Sequence, residues 1–322
     1  MTRIAITGIG GFIGLRMCQR ALDLGWQVTG VDHNAEAAKA AVNLGATVTI
    51  GDINDKAALK DAFSGADMVF HTAAIVAEDG DRAAYETVNV QGTRSVCEVA
   101  KACGVKRLVH LSSVMVYGFN FPQDVTEAGP LDGQGNVYND TKLASDILAR
   151  QFNCDTFSVV VVRPGDVYGV GSQPWIERPL SLLRQRLFAL PDRGTGVINA
   201  VHVDNLIDGV MLAFESEKAA GLAFNITDGV ATPCQEFFSY HAKSSGRRLL
   251  HLPAALLEPS LGALEFVCKR LGRPVPLSRE GIYFLQRKHR YSIHRARSIL
   301  GYIPRIPLEK GLPEVMAHYQ RA

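Results

Sequence analysis

The feature of this sequence that most restricts its fold is a regular alternation of short apolar runs with longer segments of helical character. The apolar runs are Ile4–Thr7, Val28–Val31, Thr47–Ile50, Met68–His71, Arg107–Leu111 and Val159–Val162. The helical segments are near Phe12–Leu24, Ala35–Asn43, Lys56–Phe63, Tyr85–Cys103 and Tyr138–Asn153. Strand and helix in repeated succession predict parallel strands joined by right-handed crossovers. We therefore predict an α/β fold with a doubly wound parallel sheet of the Rossmann type.

The alternation weakens after Gly165, where proline and glycine become frequent. We predict that residues 1–170, with 197–228 returning to them, form the sheet domain. Residues 171–196 and 229–322 are expected to form a smaller, mostly C-terminal lobe. Ligands of open α/β sheets bind at the carboxyl ends of the strands, so the lobe is predicted to cover a substrate there.

The charge balance and the cysteine pattern argue against several classes of protein. Lys and Arg total 34 against 32 Asp and Glu, a net charge of +2, which does not favour binding to nucleic acid or to an anionic membrane through net charge. The six cysteines form no CxxC pair and match no zinc-site spacing, so we predict no metal site and a reduced, cytoplasmic protein. An apolar strand begins by Ile4, which leaves no room for a signal peptide, and no run is long enough to span a bilayer.

A glycine-rich turn joins the first strand to the first helix. It reads Thr7-Gly8-Ile9-Gly10-Gly11-Phe12-Ile13-Gly14. In this context Gly8 permits a tight turn, Gly11 lets the backbone approach a pyrophosphate, and Gly14 lets helix and strand pack closely. Free N–H groups at the helix start then face the phosphates. The turn predicts a dinucleotide site.

Two aspartates follow the second and third strands. Asp32 is placed to accept the ribose hydroxyls of the dinucleotide and would repel a 2′-phosphate, and no Lys or Arg follows it directly, so we predict NAD rather than NADP. The alternative is that Asp32 only caps the following turn. Asp52 either accepts from the adenine amino group or caps the next helix, and the sequence leaves both open.

Tyr138 and Lys142 lie four residues apart in a helical segment and therefore share one face. A free tyrosine has a pKa near ~10, so acid–base work at neutral pH requires a nearby positive charge to stabilise the phenolate. Ser112 and Ser113 end the strand before this helix, where a hydroxyl can hold a substrate oxygen beside Tyr138. The alternatives are a solvated helix face and serines that only cap a strand end.

These residues belong to a longer series of motifs. The series is Thr7-Gly8-x-x-Gly11-x-x-Gly14, Asp32, Gly51-Asp52, His71-Thr72-Ala73-Ala74, Asn89-Val90-Gln91-Gly92-Thr93, Ser112-Ser113, Tyr138-x-x-x-Lys142, Arg163-Pro164-Gly165 and His202-Val203-Asp204-Asn205. In this order the set resembles the extended short-chain dehydrogenase/reductases, also called the NAD-dependent epimerase/dehydratase family, over nearly the whole chain. The resemblance implies an NAD cofactor and a homodimer through helices beside the sheet, here near Tyr85–Cys103 and Tyr138–Asn153.

The resemblance also implies roles for single residues. Tyr138 would be the catalytic acid/base, Lys142 would bind the nicotinamide ribose and lower the tyrosine pKa, and Ser113 would be the catalytic hydroxyl. The residues implied around the cofactor are Gly8, Gly11, Phe12, Ile13, Gly14, Asp32, Asp52, Ile53, Ala73, Ala74, Asn89, Ser112, Tyr138, Lys142, Pro164 and Val167. Tyr117 and Tyr168 are expected to pack rather than to catalyse.

The C-terminal part indicates a branch of this family. Arg287-Lys288-His289-Arg290-Tyr291-Ser292 and Leu300-Gly301-Tyr302-x-Pro304 are similar to the tails of 3β-hydroxysteroid dehydrogenase-like members, although the second motif also occurs in sugar-nucleotide members. We therefore expect interconversion of a secondary alcohol and a ketone on a bulky, apolar, steroid-like substrate. The apolar segment Leu249–Leu271 predicts a wall or lid over such a substrate, with an ordinary core helix as the alternative. Trp175 is expected either in the pocket or in the core.

Two other functions stay open. A nucleotide-sugar epimerase would use the same Tyr, Lys and NAD and return the hydride to its substrate. The basic residues available to a diphosphate, or to a solvated face, are Lys269, Arg270, Arg273, Arg279, Arg287 and Arg290. A non-catalytic NAD-sensing protein on the same fold is the third hypothesis. A sugar dehydratase is disfavoured because Ser113-Val114-Met115 stands where such members carry Thr-Asp-Glu.

Overall fold

The computed structural model describes residues 1–76, 80–272 and 279–321. Its strands are β1 Arg3–Thr7, β2 Gln27–Asp32, β3 Thr47–Ile50, β4 Met68–His71, β5 Arg107–Leu111, β6 Ser158–Pro164, β7 Asp166–Tyr168, β8 Ala189–Pro191, β9 Val197–Ile198, β10 Ala200–His202, β11 Ala223–Ile226, β12 Thr232–Pro233 and β13 Leu250–Leu252. Its helices are α1 Phe12–Asp23, α2 Ala35–Leu44, α3 Lys56–Phe63, α4 Arg82–Tyr85, α5 Thr93–Ala102, α6 Val137–Gln151, α7 Arg178–Arg184, α8 Val203–Glu215, α9 Cys234–Ser245, α10 Ala254–Arg270, α11 Arg279–Leu285 and α12 Leu308–Arg321.

The central sheet is seven-stranded and parallel, with the strand order β11-β6-β5-β4-β1-β2-β3. Successive connections run outward in one direction from β1 to β3 and in the other from β4 to β6. The direction reverses between β1 and β4, which opens a crevice above the carboxyl ends of these two strands. The predicted doubly wound α/β fold is confirmed.

The strands are apolar on both faces because helices cover both sides of the sheet. Ile4 and Ile6 of β1 belong to a core that includes residues of α1 and α8. Ala5, between them, points to the opposite side and packs in a core with residues of α3 and α5. Side chains alternate across a strand, so an unbroken apolar run such as Val159–Val162 contributes to both cores.

The edge strand β11 belongs to the central sheet but was not predicted from the apolar runs of the sequence. It is four residues long and carries a buried asparagine, Asn225. The Asn225 amide accepts from the hydroxyl of Tyr117 at 2.7 Å and donates to the carbonyl of Ser292 at 3.1 Å. A polar residue in so short a strand interrupts the apolar pattern, and only its distant partners make its burial favourable.

Beyond the sheet, the segments after β6 build a separate apolar core. β8 pairs with β13 in parallel and β9 pairs with β12 in antiparallel orientation. The core around them combines side chains of α7, α9 and α12, among them Leu180, Phe237 and Leu312. The division of the chain into two domains at the predicted boundaries stays a prediction.

No helix in the part of the chain that the structure describes is long and apolar enough to cross a membrane. The segment Leu249–Leu271 contains β13 and α10, and Pro259 lies inside the helix.

Candidate active site

A single cavity of about 940 Å³ extends from the turn after β1, across the carboxyl ends of the strands, to the segments that follow β6. Its lining includes almost every residue predicted from the sequence to bind cofactor or to catalyse. These are Gly8, Gly11, Phe12, Ile13, Gly14, Asp32, Asp52, Ile53, Ala73, Ala74, Ser112, Ser113, Tyr138, Lys142, Pro164 and Val167. Residues spread over more than 150 positions are thereby brought to one surface.

The glycine turn has the backbone geometry that a dinucleotide requires. Gly8 has a φ of +67°, which an L side chain rarely adopts. A Cβ on Gly14 would clash with the carbonyl oxygen of Gly8, and one on Gly10 would lie 2.6 Å from the carbonyl carbon of Ala37 in α2. Gly11 precedes α1 without a side-chain cap, so the first amides of that helix point to the cavity with their donors available to an anion.

Asp32 is buried at the end of β2, and its carboxylate lies beside the glycine turn. One oxygen accepts from the Gly10 amide and the other from the Asn34 amide, each at 2.9 Å. The turn-capping role considered from the sequence is therefore present. It does not exclude binding of a ribose, because each carboxylate oxygen keeps a second lone pair and the residue lines the cavity.

Asp52 does not cap the helix that follows it. The N-cap of α3 is Asp55, which accepts from the amides of Ala57 and Ala58. Asp52 is exposed and accepts from the amide of Asn54 at 2.7 Å. The helix-capping alternative for Asp52 is therefore wrong, whereas its place in the cavity lining is compatible with contact to an adenine.

Tyr138, Lys142 and Ser113 meet where α6 passes the end of β5. Asn136 caps α6 by accepting from the Asn139 amide at 2.9 Å, which fixes the first turn that carries Tyr138. Burial raises the pKa of Tyr138 to about 12, and a hydrogen bond with Ser113 opposes that shift. No charged side chain among the described residues lowers this pKa, contrary to the expectation for Lys142.

Lys142 is nearly fully buried, at 3% exposure. Its Nζ donates to the carbonyl of Leu111 at 2.6 Å. Burial lowers the pKa of Lys142 to about 8, although Asp146, one turn further along α6, opposes the shift. Lys142 is therefore held at the end of β5 by one hydrogen bond. Its ammonium has three N–H donors, as expected of a group that must also reach a ligand.

A buried hydrogen-bond chain below the cavity fixes the loop after β4. The Thr93 hydroxyl donates to the carbonyl of Asn89 at 2.7 Å, so it accepts from His71 Nε2 at 3.0 Å. His71 Nδ1 then accepts from the Thr7 hydroxyl at 2.7 Å, which in turn accepts from the Ala73 amide at 3.3 Å. Burial, and then Lys142, lower the pKa of His71 to about 3, consistent with a neutral ring.

Asn89 lies outside the cavity lining and acts on it indirectly. Its side-chain oxygen accepts from the Ile75 amide at 2.8 Å, and its nitrogen donates to the Thr141 hydroxyl of α6 at 3.1 Å. Ile75 itself lines the cavity. Asn89 thus links this loop to the helix that carries Tyr138 and Lys142. The sequence did not predict that His71, Thr93 and Thr141 join this hydrogen-bond network. His71 and Thr93 nevertheless lie inside two of the family motifs.

One further observation indicates that the residues of this site fit a dinucleotide. The hydroxyl of Ser112 is buried, lines the cavity and has no hydrogen-bond partner among the described residues. A buried hydroxyl without a partner is unfavourable unless a ligand or water satisfies it. Pro164 and Val167 lie on the same wall at the end of β6 and in β7.

A buried ion pair supports the catalytic helix from behind. Arg163, fully buried at the end of β6, donates to both carboxylate oxygens of Asp146 at 2.8 and 3.0 Å. It also donates to the Tyr117 hydroxyl at 2.7 Å. Tyr117 and Tyr168 are both buried and outside the cavity lining, where they pack, as expected.

The far end of the cavity is apolar. It is lined by Trp175, Leu182, Phe188, Phe238, Leu257, Leu261 and Phe284. Trp175 takes both of the roles that the sequence left open, because its ring also packs edge-to-face against Phe237 of the adjoining core. Asp166 lines this end as well, and its carboxylate is 2.5 Å from the guanidinium of Arg287.

The sequence profile of the NAD dependent epimerase/dehydratase family matches residues 4–227. The chain belongs to this family. The prediction that it is an NAD-dependent enzyme of the short-chain dehydrogenase/reductase type acting on CH–OH groups is confirmed at the level of the family and its named relatives.

Relatives of known name align over almost the whole chain. A 4-hydroxy-2-methyl-3-oxo-4-farnesyl-3,4-dihydroquinoline-1-oxide ketoreductase of Stigmatella aurantiaca is 27% identical, covering 96% of this chain and 94% of its own. A 3 beta-hydroxysteroid dehydrogenase/Delta 5→4-isomerase of Mycobacterium tuberculosis is 27% identical, covering 98% and 90%. The UDP-glucuronic acid 4-epimerase of Bacillus cereus, solved with UDP-glucuronic acid and NAD, shares the fold with a TM-score of 0.79 and 24% identity over 99% of both chains.

Proposed function

We propose that this protein is an NAD(H)-dependent oxidoreductase that interconverts a secondary alcohol and a ketone on a bulky apolar substrate. The observation that carries the proposal is the cavity itself. It joins the glycine turn at one end to Trp175, Leu257 and Leu261 at the other, with Tyr138 and Ser113 between them. Two relatives are named for a ketone reduction and a hydroxysteroid oxidation, which agrees with an apolar substrate of this kind. Residues 171–196 and 229–322 would form its substrate lobe.

In the proposed reaction Tyr138 exchanges the proton of the substrate oxygen. In the direction of reduction the phenol donates this proton to the carbonyl oxygen, and Ser113 holds that oxygen by a hydrogen bond. Bound NAD(H) supplies the hydride donor or acceptor. Lys142 would bind the nicotinamide ribose through Nζ, which also donates to the carbonyl of Leu111. Because burial raises the pKa of Tyr138 to about 12, the phenol is protonated at neutral pH, which is the form that donates the proton in reduction.

A preference for NAD over NADP is proposed from Asp32. Its carboxylate is buried at the end of β2 beside the glycine turn, where the 2′-phosphate of NADP would be placed against a negative charge. The predicted homodimer and the cytoplasmic location stay predictions from the sequence.

The epimerase alternative has less support from the basic residues that were predicted to bind its diphosphate. A nucleotide diphosphate requires cations with free donors, and those predicted for it are largely engaged. The guanidinium groups of Arg279, Arg287 and Arg290 pair with Glu265, Asp166 and Asp124. Arg273 and the side chain of Lys269 lie outside the described residues. Arg270 is exposed at the end of α10.

The decisive experiment follows nicotinamide absorbance with the purified chain. We expect NADH to accumulate from NAD⁺ and one member of a panel of 3β-hydroxysteroids and simpler secondary alcohols, and NADH to be consumed by the matching ketone. Tyr138→Phe should lower kcat about 10³-fold, with the affinity for NADH, measured by its fluorescence, changed by less than about threefold. Tyr283→Phe, an exposed tyrosine outside the cavity, is the matched control.

Two results would overturn the proposal. If a nucleotide sugar is converted to its epimer with no net NADH, the hydride is returned and the chain is an epimerase. If NADH binds while no 3β-hydroxysteroid, simpler secondary alcohol or nucleotide sugar reacts, the NAD-sensing hypothesis stands.

A further inference from the structure

A group of exposed apolar side chains lies on segments that adjoin the apolar end of the cavity. They come from the turn before β8, from β13 and from the region of α10. The group, called here the apolar rim, consists of Leu187, Leu250, Leu252, Leu256, Phe266, Val267 and Leu271. Single exposed apolar residues are ordinary, but seven of them on adjoining segments point to an interaction surface.

Helix α10 is mainly apolar on the side that faces solvent, where Ser260 and Arg270 are exposed polar residues. Leu257 and Leu261 line the cavity, whereas Leu256 and Phe266 are 59% and 66% exposed. The exposed positions 256, 263 and 267 follow helical spacing and share one face. The acidic Glu265 is instead turned inward and pairs with Arg279 at 3.4 Å. A surface helix normally has the opposite arrangement, with polar residues outward.

The apolar rim meets the cavity at Leu187. The register of β8 and β13 pairs Ala189 with Leu250, so Leu187 lies beside the start of β13. Leu187 is 52% exposed and also lines the cavity. The start of α10 is attached to the end of β8, because the Ala254 amide donates to Asp192 at 3.0 Å.

Basic side chains border this surface. Arg184, Arg186, Arg247 and Arg248 are exposed at the end of α7 and before β13. A guanidinium nitrogen of Arg247 is 3.5 Å from the carbonyl of Arg184, which places the two segments together. None of the four forms an ion pair with a carboxylate within residues 1–76, 80–272 and 279–321. Guanidinium groups that have no carboxylate partner and lie beside apolar side chains complement an anionic lipid surface.

We propose that the apolar rim docks on an anionic phospholipid bilayer, with α10 lying in the plane of the interface and the cavity mouth facing the lipid. An apolar substrate would then enter from the bilayer without crossing water. This benefit rests on the proposed function, whereas the docking itself does not. A second copy of the chain is a poorer occupant, because a twofold contact through this surface would bring its arginines together.

The test is flotation of the full chain with lipid vesicles in the absence of substrate. We expect binding to phosphatidylcholine vesicles that contain about 30% phosphatidylglycerol and little binding to phosphatidylcholine alone. Raising the salt from about 0.1 M to about 0.5 M should release the protein. Phe266→Asp should weaken the partitioning at least about tenfold, and Arg247→Gln and Arg248→Gln about fivefold each. Val42→Asp, which alters an exposed valine of α2, should bind as the unchanged chain does.

Three outcomes would overturn the docking proposal. The first is no flotation with anionic vesicles, and the second is equal flotation with both kinds of vesicle. The third is that the unchanged chain forms an oligomer and does not bind vesicles, while Phe266→Asp dissociates that oligomer. The last result would assign the surface to a second copy. Because no turnover is measured, these outcomes are independent of whether the proposed reaction is correct.

Discussion

The two ends of the cavity are built in different ways. At the cofactor end, the lining residues stand at the ends of consecutive strands and are held by buried hydrogen bonds such as those of His71 and Asn89. At the substrate end, the lining comes from segments scattered between residues 175 and 285, and it is mainly apolar side chains in contact. Hydrogen bonds fix positions to a fraction of an ångström, whereas apolar contacts fix volume and shape.

Because of this difference, we expect the cofactor end to determine the rate of the chemistry and the substrate end to determine substrate selectivity. At the cofactor end, β5 and α6 place Tyr138, Lys142 and Ser113 away from the apolar part of the cavity, so changes there should affect turnover of every substrate. The substrate end carries the polar residues Asp166, Gln173, Arg178 and Glu280, but most of its lining is apolar, so changes there should affect which substrate is accepted. Variants at each end can test whether the separation holds.

The largest effect is expected from Lys142→Met. Loss of the ammonium that is held at the end of β5 by Leu111 should lower kcat about 10³-fold with every substrate, and it should also weaken NADH binding because the predicted ribose contact is lost. Steady-state kinetics and NADH fluorescence measure the two effects. The control is Lys101→Met, an exposed lysine of α5. A loss confined to one substrate would contradict the separation.

The cofactor end is also the part that the sequence predicted well. Strands β3, β4 and β5 and helix α3 have the bounds that were predicted, because each apolar run is bounded by residues that favour turns. The site residues there stand directly at strand ends, where the fold alone brings them together.

Long-range polar pairs could not be predicted from local patterns. Arg287 and Asp166 are separated by 121 positions, and Arg287 was considered as a ligand for a diphosphate rather than as half of a buried pair. Position in the sequence does not show which charges meet inside the fold. A buried charge is tolerated only where a group of opposite charge lies beside it. For the same reason the burial of Asn225 in β11 has its explanation in Tyr117 and Ser292.

The next largest effect concerns acid stability of the cofactor end. The pKa of His71 is lowered to about 3, whereas a histidine in the unfolded chain titrates near ~6.5. Between these values the unfolded chain binds a proton that the folded chain does not, so stability falls as the pH falls from about 6.5 toward 3. His71→Asn should reduce this dependence by about 1.4 kcal/mol per pH unit, although it also costs stability at neutral pH by breaking the chain to Thr7 and Thr93.

Urea unfolding at a series of pH values measures this change in slope. His110, whose pKa burial lowers well below the ordinary value, should give a second contribution from the same end. His241, in the apolar core beyond the sheet, has its pKa lowered to about 4 by burial and should contribute less. His33→Asn replaces an exposed histidine and serves as the control. An unchanged slope in His71→Asn would show that the ring is not neutral in the folded chain.

A smaller effect is expected on the choice of cofactor. Asp32→Asn removes the negative charge beside the glycine turn and keeps an oxygen for one of the amides of Gly10 and Asn34. The ratio of kcat/KM for NAD to that for NADP should fall about 30-fold, equivalent to about 2 kcal/mol. Asp23→Asn, in the last turn of α1, is the matched control. An unchanged ratio would assign Asp32 to turn capping alone.

The smallest effect is expected at the substrate end. Leu261→Ala removes part of the cavity wall contributed by α10, and loss of a few methyl and methylene contacts should raise KM for a bulky apolar substrate about tenfold. A compact secondary alcohol that does not reach this wall should react as before, and the affinity for NADH should be unchanged. Leu24→Ala, an exposed leucine at the end of α1, is the control. If instead kcat falls equally for both substrates, α10 positions the catalytic groups, and the two ends of the cavity are not separable in the way that their construction indicates.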